Sequence, residues 1–364
     1  MAKEYRRPKL FLQLGLFLGD AALQTLFAQS LPVASGLHFA ISVQGQATVQ
    51  RPGWTGRAPL RFGTYLQLGD LLRVEESAHI KVVCSDLTVH EVLPGIAGVP
   101  CAGTQPLLRS ADGTLINPTR AGGRSPSFPV VLSPRKTQLL SAHPLLRWTP
   151  VEGASGYRIM VRGPNLLWTQ DVGPVTTLHY PERAPELKAG VAYKLIVETN
   201  GHSSSNEPGL GLGFSVLSDD ERKAVSREQR KVEGLGLPSG PAKFLTAHLY
   251  AANGLNSEAI ELLEDASRNF QVSAVYQALG DLYVAAGLTR PAEAAYINSL
   301  SLSQTEGDQE GEMLANLALG GIYGALGNKK LACQHLETGR SLAGKVGDRR
   351  TAGRAESLLA ELKD

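Results

Sequence analysis

The last third of the chain repeats itself, and this repeat limits what that part of the chain can fold into. Two stretches, 273–296 and 313–336, carry similar residues at the same offsets. In the first they are Leu279, Gly280, Tyr283, Gly287, Ala292 and Tyr296, and in the second Leu319, Gly320, Tyr323, Gly327, Ala332 and Leu336. Apolar residues recur there every three or four positions, which is the period of an α-helix. The sequence therefore predicts stacked helix pairs, because one pair alone cannot bury its apolar face.

The recurring small residues indicate how the two helices of a pair meet. Gly280 and Gly320 allow the first helix to approach the second closely, and Tyr283 fills the space between them. An earlier and weaker unit has its matching residues at Ala247, Tyr250, Gly254, Ala259 and Leu263. The spacing is 33 residues from Ala247 to Gly280 but 40 from Gly280 to Gly320. A longer helix or loop is therefore expected near residues 304–312.

These units resemble tetratricopeptide repeats, whose Leu-Gly-x-x-Tyr string occurs in both stretches. The resemblance implies an all-α solenoid over residues 218–364, with a capping helix over 350–362. It also implies that the first helix of each unit lines a concave groove, which binds a protein or peptide partner. Carried over unit by unit, the groove residues are Phe244, His248, Gln277, Asp281, Leu317 and Gly321.

The composition of this predicted groove indicates the kind of partner it would bind. The six residues include one aromatic and one acidic side chain, but no cluster of Lys and Arg that would clamp a carboxylate. The expected partner is a helix or an extended segment with an apolar anchor. The alternative is that the chain's own linker or capping helix fills the groove.

The first 30 residues have the three parts of a secretory signal. A basic stretch with Lys3, Arg6, Arg7 and Lys9 comes first, followed by an apolar run over 10–19 and by small residues at Ala28 and Ser30. Asp20 leaves the apolar run too short for a bilayer, which requires about 20 residues. The sequence therefore predicts export to the periplasm or beyond. An uncleaved anchor and a plain buried helix are the alternatives.

Residues 36–103 are predicted to form short strands separated by Gly and Pro turns. The predicted strands are 37–43, 47–51, 71–74, 79–83 and 88–93. The strings G-Q-A-T-V-Q-R-P-G and L-Q-L-G-D-L-L-R-V, with a turn at Gly69-Asp70, resemble a FecR-like domain. The resemblance implies a small extracytoplasmic β-domain, which agrees with the predicted signal.

The chain has three cysteines, and two of them lie in this predicted β-domain. Because disulfides persist in exported proteins, Cys84 and Cys101 are predicted to form one. The third, Cys333, lies on a predicted helix, where a buried apolar cysteine is expected.

Residues 104–137 are rich in Gly, Pro, Arg and Ser and are predicted to be a linker. Residues 138–217 then alternate as strands do. The predicted strands are 145–148, 157–161, 167–172, 177–180, 193–198 and 212–216. The Trp148 strand, and the spacing of Leu187, Gly190 and Tyr193, resemble a fibronectin type III or immunoglobulin-like sandwich. The resemblance implies that both aromatic residues lie in the core and that the tyrosine hydroxyl bonds nearby backbone.

Charge and motifs do not point to nucleic-acid binding or to catalysis. The formal net charge is only +2, whereas nucleic-acid binding requires a strong basic field. The chain has no G-x-S-x-G, H-E-x-x-H or phosphate-binding loop, so no catalytic residue, metal or cofactor is predicted.

The predicted fold is therefore multidomain, with all-β N-terminal two thirds followed by an all-α solenoid. This domain order resembles that of cyanobacterial envelope proteins. The predicted function is a non-catalytic exported scaffold whose groove binds a protein, while the β-domains position it in the envelope. The alternative is a module that binds envelope glycan or cell-wall polymer through the β-domains.

Overall fold

The computed structural model describes residues 37–101, 127–200, 203–206 and 212–362. The signal predicted over 1–30 lies outside these ranges, and so does most of the predicted linker. The described chain begins with small, mainly antiparallel β-sheets and ends with an all-helical part. The predicted order of a β-rich part followed by an all-helical part is therefore confirmed.

The first β-region, residues 37–101, consists of short strands in two four-stranded antiparallel sheets. In chain order the strands are β1 (His38–Gln44), β2 (Ala47–Gln50), β3 (Ala58–Pro59), β4 (Tyr65–Leu66), β5 (Leu71–Val74), β6 (His79–Val83), β7 (Val89–Val92) and β8 (Gly95–Gly98). The sheet orders are β4-β1-β6-β7 and β3-β2-β5-β8. Burial alternates along the strands: in β6, Ile80 and Val82 are buried while His79 and Lys81 are exposed. Many of the buried side chains of the two sheets form one core, whereas Phe39, Ile41 and Val83 belong to a cluster shared with the helices.

The five strands predicted for this region are present, and the short strands β3, β4 and β8 were missed. The predicted disulfide is also present, with 5.5 Å between the Cα atoms of Cys84 and Cys101. The predicted Gly69-Asp70 turn is stabilised by the Asp70 carboxylate, whose Oδ2 accepts the Gln67 N–H at 2.9 Å. Gly69 has a φ of +100°, which favours glycine.

The second β-region, residues 127–217, supplies the remaining strands. They are β9 (Val131–Ser133), β10 (Thr137–Leu139), β11 (Leu145–Trp148), β12 (Tyr157–Gly163), β13 (Leu166–Val172), β14 (Thr177–His179), β15 (Lys194–Thr199) and β16 (Phe214–Val216). Two three-stranded sheets, β14-β11-β9 and β13-β12-β15, enclose a common core, and β10 pairs with β16 in parallel. The six strands predicted here all occur, with small differences at their ends.

Two aromatic residues of this region take the places that the sequence predicts for them. Trp148 is 1% exposed and Tyr193 is 4% exposed, so both belong to the core. The Tyr193 hydroxyl accepts the Lys188 N–H at 2.8 Å, as a tyrosine corner requires. Residues 131–137 belong to this region and not to a linker, because Val131 and Ser133 pair with β11.

The helical array, residues 218–362, contains eight described helices. They are α1 (Asp219–Gly234), α2 (Ser239–Ala252), α3 (Asn256–Asn269), α4 (Ser273–Ala285), α5 (Thr289–Glu306), α6 (Gln309–Ala325), α7 (Lys329–Val346) and α8 (Arg349–Glu361). Three pairs follow α1, namely α2/α3, α4/α5 and α6/α7, and α8 follows the last pair. Short turns join the members of a pair, and in these turns Gly254, Gly287 and Gly327 have positive φ.

The glycines of the repeat lie where the paired helices touch. A Cβ added to Gly280 would be 2.4 Å from the Tyr296 ring, and one added to Gly320 would be 2.6 Å from Leu336. The predicted close approach of the helices is therefore confirmed. The longer spacing also has a structural cause, because α5 and α6 have 18 and 17 residues whereas α3 and α4 have 14 and 13.

Candidate functional site

The candidate site is the face of the array formed by α2, α4 and α6, the first helices of the three pairs. We refer to it as the first-helix face. Part of this face is covered by the first β-region, and one buried apolar cluster runs through both. Phe39 on β1 and Phe244 on α2 are 0% and 2% exposed, and their ring centroids are 5.5 Å apart. The array and the first β-region therefore share a core.

Residues 60–65, which run from the end of β3 to the first residue of β4, form the centre of this contact. We refer to them as the 60–65 segment. The Phe62 ring lies 5.2 Å from Phe244 and 4.8 Å from Phe270, both edge-on. The Tyr65 ring approaches His248 on α2 at 6.2 Å. Aromatic pairs in this geometry stabilise a contact beyond the area that they bury.

The glycine within this segment permits the close approach. Gly63 has a φ of +77°, and a Cβ added to it would be 2.2 Å from the Cβ of Ala274 on α4. Its N–H donates to the Ala40 carbonyl on β1 at 2.8 Å. The position therefore requires glycine both for its backbone conformation and for the space between β-region and helix.

Two arginines of the first β-region attach it to the α5–α6 connection. The Arg51 guanidinium pairs with Glu310 at the start of α6 and donates to Asp70 at 2.9 Å. Arg61 donates through Nε to the Glu306 carbonyl at 2.8 Å. The same connection positions the helix ends, because the Glu306 carboxylate accepts the N–H and hydroxyl of Ser273, where α4 begins.

Burial shifts the pKa of several groups along this contact. Loss of solvation raises the pKa of the Asp70 and Glu310 carboxyl groups, although Arg51 favours their charged forms. Burial lowers the pKa of His248 to about 4. Within the described chain, one buried polar atom of each of these three acidic or basic groups has no hydrogen-bond partner: Asp70 Oδ1, Glu310 Oε2 and His248 Nε2. The contact therefore has a well-packed aromatic centre. At its border lie buried polar atoms that have no hydrogen-bond partner among the described residues.

A cavity of about 40 Å³ remains between the 60–65 segment and the array. Its lining includes Thr64 and Tyr65 from the segment and Gln277, Ser299 and Asp308 from the helices. Polar groups therefore surround a space that is large enough for water but too small for a metabolite.

The second β-region contacts the array at a different place, along α3 and the α2–α3 turn. Arg147 on β11 forms a bidentate ion pair with Glu264, in which its two terminal guanidinium nitrogens donate to the two carboxylate oxygens at 2.8 and 3.1 Å. The Leu140 N–H donates to the Glu258 carboxylate at 2.7 Å, and the Gln138 N–H donates to the Gly254 carbonyl at 2.8 Å. Both β-regions are thus attached to the array by specific contacts.

Three of the six predicted groove residues pack against other parts of the described chain. Phe244 and His248 on α2 are covered by the first β-region, whose Phe39 ring lies 5.5 Å from the Phe244 ring and 4.6 Å from the His248 ring. Leu317 is 7% exposed and packs on Gly339 of α7, because the residues of α6 on that side form the contact within the pair.

The other three predicted residues face the cavity or solvent. Gln277 lines the cavity and donates to Asp281 at 3.2 Å. Asp281 is exposed as a residue, but its carboxyl group is not free: Oδ1 accepts the Tyr296 hydroxyl at 2.6 Å, and loss of solvation raises the pKa of the carboxyl to about 6. A Cβ added to Gly321 would have no atom within 4 Å. The open part of the first-helix face therefore lies around Asp281 and Gly321.

Sequence analysis missed the residues of the first β-region that cover this face. Phe39, Phe62 and Tyr65 carry no motif, and the two short strands beside the 60–65 segment were not predicted. The available signal was the string R-F-G-T-Y, which places two aromatic residues around a glycine in a stretch with few predicted strands. Only the fold brings this string to α2 and α4.

One further cluster has the composition of a metal site. Ligand atoms of His38, Cys84 and Cys101 lie within 4.8 Å of one another. The two sulfurs are joined in the disulfide, and His38 Nδ1 accepts the Ser85 N–H at 3.0 Å. The donor atoms are thus engaged in protein bonds, and the cluster does not fit a metal in this oxidised state. Among the described helices, none is long and apolar enough to cross a membrane.

No protein-family model matches the chain, and no curated protein matches it either. Among the solved structures that match is the MamA protein, with 21% identity and a TM-score of 0.30, covering 39% of this chain and 77% of MamA. Another is a Podospora anserina kinesin light chain variant with nearly identical tetratricopeptide-like repeats. It has 20% identity and a TM-score of 0.32, and the match covers 39% of this chain and 79% of that one.

Proposed function

We propose that the protein is an exported, non-catalytic scaffold whose tetratricopeptide-like array binds a protein partner. The observation that carries this proposal is the occupied first-helix face. It already holds a folded β-region through the aromatic contacts of Phe39 and Phe62 and the charged contacts of Arg51 and Arg61. A surface that holds one protein module in this way has the chemistry to bind another.

The partner would contact the part of the first-helix face that the β-region leaves open. Asp281 is an exposed residue on α4. Gly321 on α6 has no side chain, and the space beside it is open. A helix surface without a side chain at Gly321 suits a segment that packs closely against it. The two β-regions would hold this surface in a fixed orientation in the cell envelope.

A pair of glycine variants tests this site. Gly321→Trp places a large ring on the open face, whereas Gly344→Trp places it on α7, where a Cβ likewise has no neighbour within 4 Å. Tagged full-length proteins are used for affinity capture from an envelope fraction. A protein that wild type and Gly344→Trp retain but Gly321→Trp loses supports the proposal. Equal capture by both variants places the partner elsewhere.

Export is supported by the buried disulfide, because cytosolic proteins rarely keep one. Thiol labelling of the protein in intact cells tests this point. We expect only Cys333, which is not in a disulfide, to be available before reduction. Labelling of Cys84 and Cys101 without reductant would contradict export to an oxidising compartment.

A further inference from the structure

A group of basic side chains lies where the β2–β3 connection meets the turn between α7 and α8. The Gly56 N–H donates to the Val346 carbonyl at 3.0 Å, and a Cβ added to Gly56 would be 3.2 Å from the Lys345 carbonyl oxygen. Thr55 lies against Gly347 in the same contact. Five exposed basic residues, which we refer to as the basic patch, lie at this contact or within the first two turns of α8: Arg57, Lys345, Arg349, Arg350 and Arg354.

The basic patch has no acidic partner among the described residues. None of its five members forms an ion pair there. The neighbouring acidic side chains are already engaged, because Asp348 caps the start of α8 and Glu356 pairs with Arg340 at 3.7 Å. Loss of solvation and the nearby charge of Arg350 both lower the pKa of Arg354. The fold therefore holds like charges together, and a bound anion would reduce their mutual repulsion.

The residues of the basic patch indicate which kind of anion fits it. Four of the five are arginines, whose guanidinium groups bind carboxylates through two parallel hydrogen bonds. Arg350 and Arg354 are one turn apart on α8, so their Cα atoms are separated by about 6 Å along the helix axis. Alternate side chains of an extended peptide repeat at nearly the same distance, about 6.6 Å. Two carboxylates separated by one residue can therefore each meet one of these arginines.

Other sources of negative charge fit the basic patch less well. Single-stranded nucleic acid binds through exposed aromatic rings on which its bases stack. Trp54, the aromatic residue of the β2–β3 connection, is only 7% exposed. Residues 102–126 of the same chain carry three arginines and one aspartate, so their net charge has the wrong sign. These observations favour an acidic segment of another protein.

We propose that the basic patch binds an extended acidic segment of a second protein, in which carboxylates alternate with other residues. The β2–β3 connection supplies one side of this surface, and the end of α7 with the start of α8 supplies the other. The surface does not include Asp281 or Gly321. This interaction is therefore additional to the one proposed for the first-helix face.

The test measures binding of a fluorescein-labelled peptide, in which glutamate alternates with serine, to the full-length protein by fluorescence anisotropy. Replacing Arg350 and Arg354 together by Gln should weaken binding about tenfold, as expected for the loss of two exposed ion pairs. The matched control replaces Arg227 and Lys231 by Gln, two exposed basic residues one turn apart on α1. The control lowers the net charge equally and should bind like wild type. Binding to wild type should weaken as the ionic strength rises from about 0.01 to about 0.15 M.

Replacing Arg57 and Lys345 together by Gln tests the other side of the basic patch and should also weaken binding. This variant decides the outcome if the Arg350 and Arg354 variant does not fold by circular dichroism. The proposal is overturned if wild type does not bind the peptide at the lower ionic strength, or if a peptide with glutamine in place of glutamate binds equally well. Equal loss of affinity in the α1 control would also overturn it, and so would tighter binding to vesicles of anionic lipid than to the peptide.

Discussion

Glu258 is a carboxyl group whose burial gives the protein a predictable dependence on pH. It lies on α3, where its Oε1 accepts the Leu140 N–H of the second β-region at 2.7 Å. Its Oε2 is buried with no partner among the described residues. Loss of solvation raises the pKa of this carboxyl from 4.5 to about 7. Replacing Glu258 by Gln removes the charge and keeps an acceptor for the Leu140 N–H.

The direction in which stability changes with pH follows from the raised pKa of Glu258. The folded protein binds the proton more tightly than the unfolded chain does. The contribution of this group to stability is therefore fully present below pH 4.5, falls as pH rises through about 7, and is constant above that. The difference between the two pKa values corresponds to about 3 kcal/mol if the site is fully dry. Because the side chain is half-buried, we expect Glu258→Gln to be more stable than wild type by about 1–3 kcal/mol at pH 8.

Urea unfolding at pH 4.5 and at pH 8 measures this difference, with the disulfide left intact. The control is Glu337→Gln, an exposed glutamate on α7, which should change neither midpoint. The expected gain of Glu258→Gln over wild type is present at pH 8 and absent at pH 4.5. A gain of equal size at both pH values would refute the reasoning, because it could not come from the charge.

Two further predictions concern the fold. Replacing Cys84 and Cys101 by Ala should lower the free energy of unfolding by about 3 kcal/mol, as expected for a closed loop of this length, and a denaturation curve unchanged by reductant would contradict this. Gly280→Leu and Gly320→Leu should each cost about 1–3 kcal/mol by overpacking the contact within a helix pair. Gly321→Leu, where a Cβ has open space, should change the thermal midpoint little, so equal loss at all three glycines would disprove the assignment of helix contacts.

The sequence predicted those elements whose signal is local. The helix pairs follow from a period of three to four residues and from Gly280 and Gly320, which sit at the contact that they predict. The tyrosine corner at Tyr193 follows in the same way from a short spacing in one strand connection. In both cases, all the residues that determine the structure lie within one or two turns or strands of each other.

The occupied part of the first-helix face could not be predicted in this way. The position of Phe244 within a helix pair does not indicate what covers it. That depends on Phe39 and Phe62, which belong to a different region and show no periodicity that points to a helix. The contact of Leu317 with Gly339 could not be predicted for a related reason, because it is decided by how α6 and α7 pack.

The contact between the first β-region and the array has a consequence for how the chain folds. The hydrogen bond from Arg51 to Glu310 joins residues 259 positions apart. Contacts of such long range form slowly, since a large loop must close before they contribute. During synthesis the first β-region is made first and has its Phe39 and Phe62 rings bare until α2 to α4 follow. Nascent chains of this protein should therefore depend on a chaperone, and truncation after the second β-region should yield an aggregating product.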